Sequence, residues 1–354
     1  MKNIEKYLSI LNDEVDGLLL TSRYSRHYCA EYDIAEGVAI VTKAGCRYFT
    51  DFRYIEAACS GIQGFEVMEM NHEHPYNQLL NDAIRDFGVH TLGYEQTYLT
   101  VAELMDYEKA LPVKLVPYNE KIHAFRGAKE EWELELMRKA QDIADAAFSD
   151  VLPRIKAGMT EKELQAELVY CLLKNGADNP SFSPIVVSGP NTSMPHGVAG
   201  DRVIQNGDFV TMDFGALYQG YCSDMTRTVA IGYATEEMEK VYNTVLESQL
   251  AGIAAAKAGV LGKTVDNTAR KVIEDAGYGE YFGHGFGHSV GLEIHEKPNC
   301  SQYSEDIMVE NCVASAEPGI YIPGKFGVRI EDCLIYKADG TENIAHSPKN
   351  LIII

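Results

Sequence analysis

Four acids in the second half of the chain are spaced as two pairs. Phe209–Ala216 and Tyr221–Thr228 read as two strands around a short turn. With Tyr218-Gln219 as that turn, Asp213 faces Asp224. Ser315–Ile322 and Phe326–Asp332 repeat the arrangement, and a turn centred on Gly324 sets Glu317 against Glu331. Directly opposed side chains lie about 5 Å apart, where like charges repel. Two opposed acid pairs, each among apolar and glycine residues, are poorly explained as a solvated sheet face. A cation between the carboxylates removes the conflict.

Between the hairpins runs Gly283-His284-Gly285-Phe286-Gly287-His288-Ser289-Val290-Gly291-Leu292-Glu293-Ile294-His295-Glu296. Its glycines argue against a helix, and the H-E-x-x-H zinc signature is absent. A lone histidine is usually structural, but three beside four patterned acids are candidate ligands or proton carriers. A fourth, His196, sits in the turn-rich stretch Ser188–Gly197, suited to presenting a side chain to a cleft. Four carboxylates and one imidazole suit Mn²⁺, Co²⁺, Fe²⁺ or Zn²⁺. They overcharge one dication and balance two, typically ~3.5–4 Å apart, which bring a shared water to hydroxide near neutral pH. The chemistry is hydrolysis of a carbonyl or phosphoryl substrate, with remaining histidines serving the oxyanion or the proton.

These residues need a scaffold, and the chain offers two textures. Up to about residue 122, strand-like runs (Gly17–Leu20, Gly37–Thr42, Arg47–Thr50, Val113–Val116) alternate with helical stretches such as Tyr76–Phe87. That alternation predicts an α/β domain. Thr50-Asp51-Phe52-Arg53-Tyr54 reads as a strand end with a surface ion pair before a helix. From residue 123 to 354 an α+β domain is expected. Long helices over 129–152 and 160–175 come first, the second opened by a Thr160…Glu163 capping box. In the first, Trp132, Leu136, Ala140, Ile143 and Ala147 recur at helical spacing. Strands and glycines follow, interrupted by helices near 236–256 and 265–276.

Composition removes other classes. The 354 residues carry 31 basic and 52 acidic side chains, a net charge of -21. Nucleic acid and anionic membrane surfaces both need the opposite sign. No apolar run approaches the ~20 residues of a membrane span. The opening MKNIEKYLSILNDEVDG lacks a signal-peptide core and reads as an amphipathic helix. Eight scattered cysteines with no C-x-x-C pair are expected as free thiols, and the expected location is the cytoplasm.

The motifs MDFG, GYCSDMTRT, HGFGHSVGLEIHE, AEPGIYIPG and GVRIED, in this order, resemble the pita-bread metallopeptidases of the aminopeptidase P, prolidase and methionine aminopeptidase family. The resemblance implies a pita-bread catalytic domain and the metal ligands Asp213, Asp224, His288, Glu317 and Glu331. It also implies two divalent ions per chain, Mn²⁺ first among them, with Glu317 accepting the proton of the attacking water. His196, in a PHG motif, and His295, in the IHE segment, would hold the substrate and stabilise the tetrahedral intermediate. His284 would lie near the substrate. Arg329 would orient the Glu331 carboxylate or the substrate chain. The N-terminal zone, TDFRY included, resembles the creatinase/prolidase N-terminal domain, so the likeness covers nearly the whole chain. Methionine aminopeptidases lack that domain, and creatinase lacks the ligand set. What remains is cleavage of Xaa-Pro bonds in proline-containing peptides, by a homodimer if family habit holds.

One departure bears on substrate length. Prolidases often carry an arginine just after the HE-x-P segment, where it can pair with a dipeptide's carboxylate. This chain has Asn299 there, with Lys297 nearby. Asn299 inclines the reading to an Xaa-Pro aminopeptidase, with the Xaa-Pro dipeptidase as the alternative. Two other classes compete: a non-catalytic pita-bread binding module, which would be expected to have lost ligands, and a phosphoesterase. The phosphoesterase would need a basic cluster near the ligands, where only Arg227 and Arg329 are close in sequence.

Overall fold

The computed structural model describes residues 3–354. They form two compact units, one ending at Phe125 and one spanning Arg126–Ile354.

The first unit is built on a six-stranded mixed sheet. Its order is Glu66–Met70, Cys46–Asp51, Val38–Thr42, Gly17–Leu20, Thr91–Tyr94, Lys114–Pro117. The two central strands are buried along their whole length, which is why they read as unbroken apolar runs. Helix Tyr76–Phe87 covers the sheet with Leu79, Leu80, Ala83 and Ile84 and stops at Gly88, whose φ of +67° is left-handed. Asp51 and Arg53 pair at 2.6 Å on the surface, ahead of helix Ile55–Gly61. The opening helix is shorter than the sequence suggested, covering Asn3–Ser9, and Met1 and Lys2 lie outside the described residues. Asn12 explains the stop. Its side-chain oxygen accepts from the Glu14 and Val15 amides, turning the chain away from helix.

The second unit is α+β, with antiparallel pairing throughout its sheets. Helices Glu131–Val151 and Glu161–Lys174 pack against strands Phe209–Phe214 and Met225–Ala230 through Phe148, Leu168, Met212 and Phe214. The buried stripe of the first helix runs Leu134, Met137, Ala140, Ala144, Phe148; Trp132 stands at its edge, 39% exposed, against Tyr221. The second helix carries the expected capping box, Thr160 accepting from the Glu163 amide and Glu163 from that of Thr160, a device contributing about 1 kcal/mol. Helices Glu236–Ala255 and Gly262–Asp275 cover two further strand groups. These are the hairpin Gly319–Ile322/Phe326–Arg329 and a five-stranded sheet holding Gly287–Ser289, Val313–Ala316 and Asp332–Lys337.

The two hairpins differ in register. In the second, Ala316 pairs with Asp332 and Gly319 with Arg329. The same alignment continues across the gap, so Glu317 and Glu331 occupy matching positions as expected. In the first, Asp213 pairs with Thr226, not Asp224. The turn is Gln219-Gly220, flanked by the pair Tyr218↔Tyr221. Both turn residues have positive φ (+47° and +86°), the signature of a type I′ turn. Moving the turn by one residue moves every partner by two. The face is therefore kept, and Asp224 sits diagonally from Asp213 rather than opposite it.

Candidate metal centre

The acids stand where the hairpins are interrupted. Strand Phe209–Phe214 breaks after Phe214, and its partner begins at Met225, one residue past Asp224. In the second hairpin the ladder fails between Ala316 and Gly319, at Glu317-Pro318, and between Arg329 and Asp332, at Ile330-Glu331. There the amides turn to other strands, Glu317 N–H to Phe286 O at 2.8 Å and Glu331 N–H to Thr226 O at 3.1 Å. His288 lies on strand Gly287–Ser289, opposite Asn299. A Cβ on Gly287 would lie 2.0 Å from the Ser315 carbonyl, so only glycine lets this strand approach.

One cavity, of about 390 Å³, is lined by Asp213, Asp224, His288, Glu317 and Glu331 together with His196, His284, His295 and Arg329. Asp224, His288 and Glu331 each offer one ligand atom, all within 4.8 Å of one another. His288 Nε2 is 3.6 Å from Asp224 Oδ2 and 3.4 Å from Glu317 Oε1. Its Nδ1 lies 3.2 Å from the Ser289 carbonyl. With the proton on Nδ1, the Nε2 lone pair faces the acids. Burial lowers the His288 pKa, favouring that neutral form. Burial also pushes Asp224 and Glu331 well above the usual carboxylate range, helped by Asp213 and Glu317 next to Asp224, and by Asp224 and Glu317 next to Glu331. Glu317 is raised by burial too.

These donors fit a divalent cation. Asp213 Oδ1 and Asp224 Oδ1 are buried and find no hydrogen-bond partner among the described residues. Buried carboxylate oxygens are otherwise satisfied in folded proteins. A cation supplies the missing interaction and the missing charge, and the oxygen-rich set with one imidazole suits the borderline divalent metals.

A supporting layer fixes the acids. Thr226 Oγ1 donates to Glu331 Oε2 at 2.6 Å, and Ser315 Oγ to Glu317 Oε1 at 3.1 Å. Arg329 corrects an expectation: its guanidinium pairs with Asp213 Oδ2 at 2.5 Å instead of Glu331. The ladder explains this, because Arg329 ends its strand before the chain turns at Glu331. It also donates to Tyr321 Oη at 2.9 Å and the Pro195 carbonyl at 3.3 Å. His284 Nε2 lies 2.8 Å from Tyr321 Oη and its Nδ1 2.9 Å from the Gly285 carbonyl. His196 and His295 are exposed at the cavity. The His295 ring packs edge-on against His288 with centroids 4.2 Å apart, and partial desolvation lowers its pKa.

Sequence reasoning missed Tyr321, Thr226 and Ser315. The signal for Tyr321 was the strand period: it falls four residues after Glu317, and Gly319 between them leaves room for its ring, where a Cβ would lie 2.4 Å from Tyr321 Oη. Arg227, the other basic candidate, is buried and bonded to Asp332 at 2.8 Å. Both arginines that a phosphoryl substrate could recruit are thus committed to acids. All eight cysteines are free. No helix among the described residues is long and apolar enough to cross a membrane.

Comparison with known proteins agrees with this geometry. Residues 135–338 match the model of metallopeptidase family M24, and residues 4–127 match the creatinase/prolidase N-terminal domain. An Xaa-Pro dipeptidase from Bacillus anthracis is 41% identical, covers 100% of this chain and 99% of its own, and superposes with a TM-score of 0.96. An X-Pro aminopeptidase from Thermotoga maritima MSB8 is 34% identical, covers 100% of both chains, and has a TM-score of 0.94. An Xaa-Pro dipeptidase of Pyrococcus horikoshii is 41% identical over 267 residues, 75% of this chain and 76% of that protein. The family is one of divalent-metal peptidases with the pita-bread fold expected above. The chain belongs to metallopeptidase family M24, its peptidase domain preceded by a creatinase/prolidase N-terminal domain.

Proposed function

We propose that the chain hydrolyses Xaa-Pro bonds with two divalent ions, Mn²⁺ first among them, held by Asp213, Asp224, His288, Glu317 and Glu331. The observation that carries this is the meeting of all five donors in one cavity with His196 and His295 exposed beside them. When bound, such ions polarise a carbonyl and bring a water to ionisation near neutral pH. Glu317 Oε1 accepts from Ser315, leaving Oε2 to take the proton of the attacking water. The imidazoles of His196 and His295 hold the scissile carbonyl and donate to its oxygen as negative charge develops. Arg329 orients Asp213, and Tyr321 orients His284.

The preferred substrate is the Xaa-Pro dipeptide. The names of the similar proteins favour this over the longer peptides to which Asn299 inclined the sequence. A second reading, the Xaa-Pro aminopeptidase, is favoured by one feature. Among the described residues Arg329 is the one arginine or lysine lining the cavity, and it is bound to Asp213. A dipeptide's carboxylate would therefore be met by histidine, Asn299 or Ser301. Turnover of Ala-Pro against Ala-Pro-Ala in Mn²⁺-loaded protein separates the two. Higher kcat/KM on Ala-Pro is expected, higher kcat/KM on Ala-Pro-Ala selects the aminopeptidase, and no hydrolysis of any Xaa-Pro peptide removes both.

A further inference from the structure

Helix Glu236–Ala255 buries an apolar face, Met238, Val241, Tyr242 and Val245, against the second hairpin. One turn beyond Val245, beside the equally buried Ser248, comes Gln249, fully buried. An apolar side chain is what the pattern calls for. Gln249 is moreover an imperfect fit, since its Oε1 is buried without a hydrogen-bond partner among the described residues. Leaving such an oxygen unmet costs stability, so the other half of the amide deserves a role.

That half spans the break in the hairpin. Gln249 Nε2 donates to the Ala316 carbonyl at 3.1 Å and to the Ile330 carbonyl at 3.3 Å. Each carbonyl belongs to the residue just before one of the two glutamates. The ladder rung that would fix the Ile330 carbonyl is lost, because Pro318 in the matching position has no amide proton to give, and Ala316, paired with Asp332, is the last residue of its strand before the break. One NH₂ group therefore ties together the two strands at the point where Glu317 and Glu331 leave the hairpin. We propose that Gln249 is a positioning residue that sets the separation of Glu317 and Glu331, and through it the affinity of the centre for its divalent ions. The inference rests on the metal reading above.

The test is titration of Mn²⁺ alone into metal-free full-length protein, followed by calorimetry. Gln249→Met keeps the length of the side chain and removes both donors. Its Mn²⁺ affinity is expected to fall about 10–100-fold, as for other partners of metal ligands. Ser248→Ala is the control for a purely structural effect. Ser248 is equally buried on the same helix, but its hydroxyl donates to Ala269, away from the hairpin. It is expected to lower the melting temperature of the metal-free protein with Mn²⁺ affinity unchanged. Gln249→Glu, which when neutral keeps a single donor, is expected to fall between Met and wild type, and it carries the comparison if the Met variant does not fold. Affinity within twofold of wild type in the folded Gln249 variant overturns the proposal. A wild-type protein that takes up no Mn²⁺ overturns the metal reading instead, so the two failures are distinct.

Discussion

Glu296 follows the exposed His295, yet its own side chain is buried, 4% exposed. It accepts from Arg126 Nε at 3.1 Å and Nη2 at 2.6 Å, from Lys129 Nζ at 3.1 Å, and from the Glu293 amide at 3.2 Å. Burial opposes its charge, but Arg126 and Lys129 overcome that and hold the carboxyl at about 2 instead of 4.5. The difference is worth about 3 kcal/mol of folding free energy. The folded-state pKa is the lower one, so this contribution is complete above pH 4.5. It is lost as the pH falls toward 2. Glu296→Gln mimics the protonated acid. It is expected to destabilise the protein by about 3 kcal/mol at pH 7 and by only about 1.4 kcal/mol at pH 3. Urea unfolding of chelator-treated protein measures this without interference from metal release. Trp132, the chain's one tryptophan, packs edge-on against Tyr221 and reports the transition by fluorescence. A gap between variant and wild type that is equal at pH 7 and pH 3 would refute the argument. The loss would then come from packing, not from the buried charge. Because Glu296 anchors the segment carrying His295, the variant's kcat is also expected to fall further than its KM rises.

Three further outcomes follow from the proposed donors and their supporting layer. Asp224→Asn removes the carboxyl of a proposed ligand and should abolish Mn²⁺-dependent hydrolysis of Ala-Pro, measured as proline release, with the folded state retained by circular dichroism. Thr226→Val is nearly isosteric but withdraws the hydroxyl that donates to Glu331 and accepts from Arg329 Nε at 3.0 Å. Mn²⁺ affinity, read by calorimetry, should weaken about 10–100-fold. Tyr321→Phe leaves buried Arg329 Nη1 and His284 Nε2 short of a partner, and urea unfolding should show a loss of about 1–3 kcal/mol.

What the sequence carried was spacing and chemical type; what it lacked was backbone geometry at single residues. Helix Tyr76–Phe87 and strand Gly17–Leu20 were legible because their burial is periodic or continuous. The opening helix was overextended because one Asn12 side chain ends it, and a window of apolar spacing cannot see such a turn. The Asp213–Asp224 opposition failed for a comparable reason: Gln219 adopts φ > 0, which L-residues other than asparagine and aspartate rarely do. Asp213 and Asp224 still line one cavity because the shift was by two residues and kept both acids on one face. Glu317 and Glu331 were placed correctly, since Gly324, with φ of +72°, marks their turn without ambiguity. The partners of the acids are another matter. The Thr226–Glu331 and Asp213–Arg329 pairs depend on which strands meet at the breaks, and those meetings join residues about 100 positions apart, whereas Ser315 and Tyr321 are near their partners in sequence but are set by where the chain turns. Interrupted ladders are thus both why the site was only half legible and how its acids converge. Where Glu317 and Glu331 leave their hairpin, backbone amides turn to neighbouring strands and carboxylates turn inward. The same break converts regular sheet into a set of converging charges.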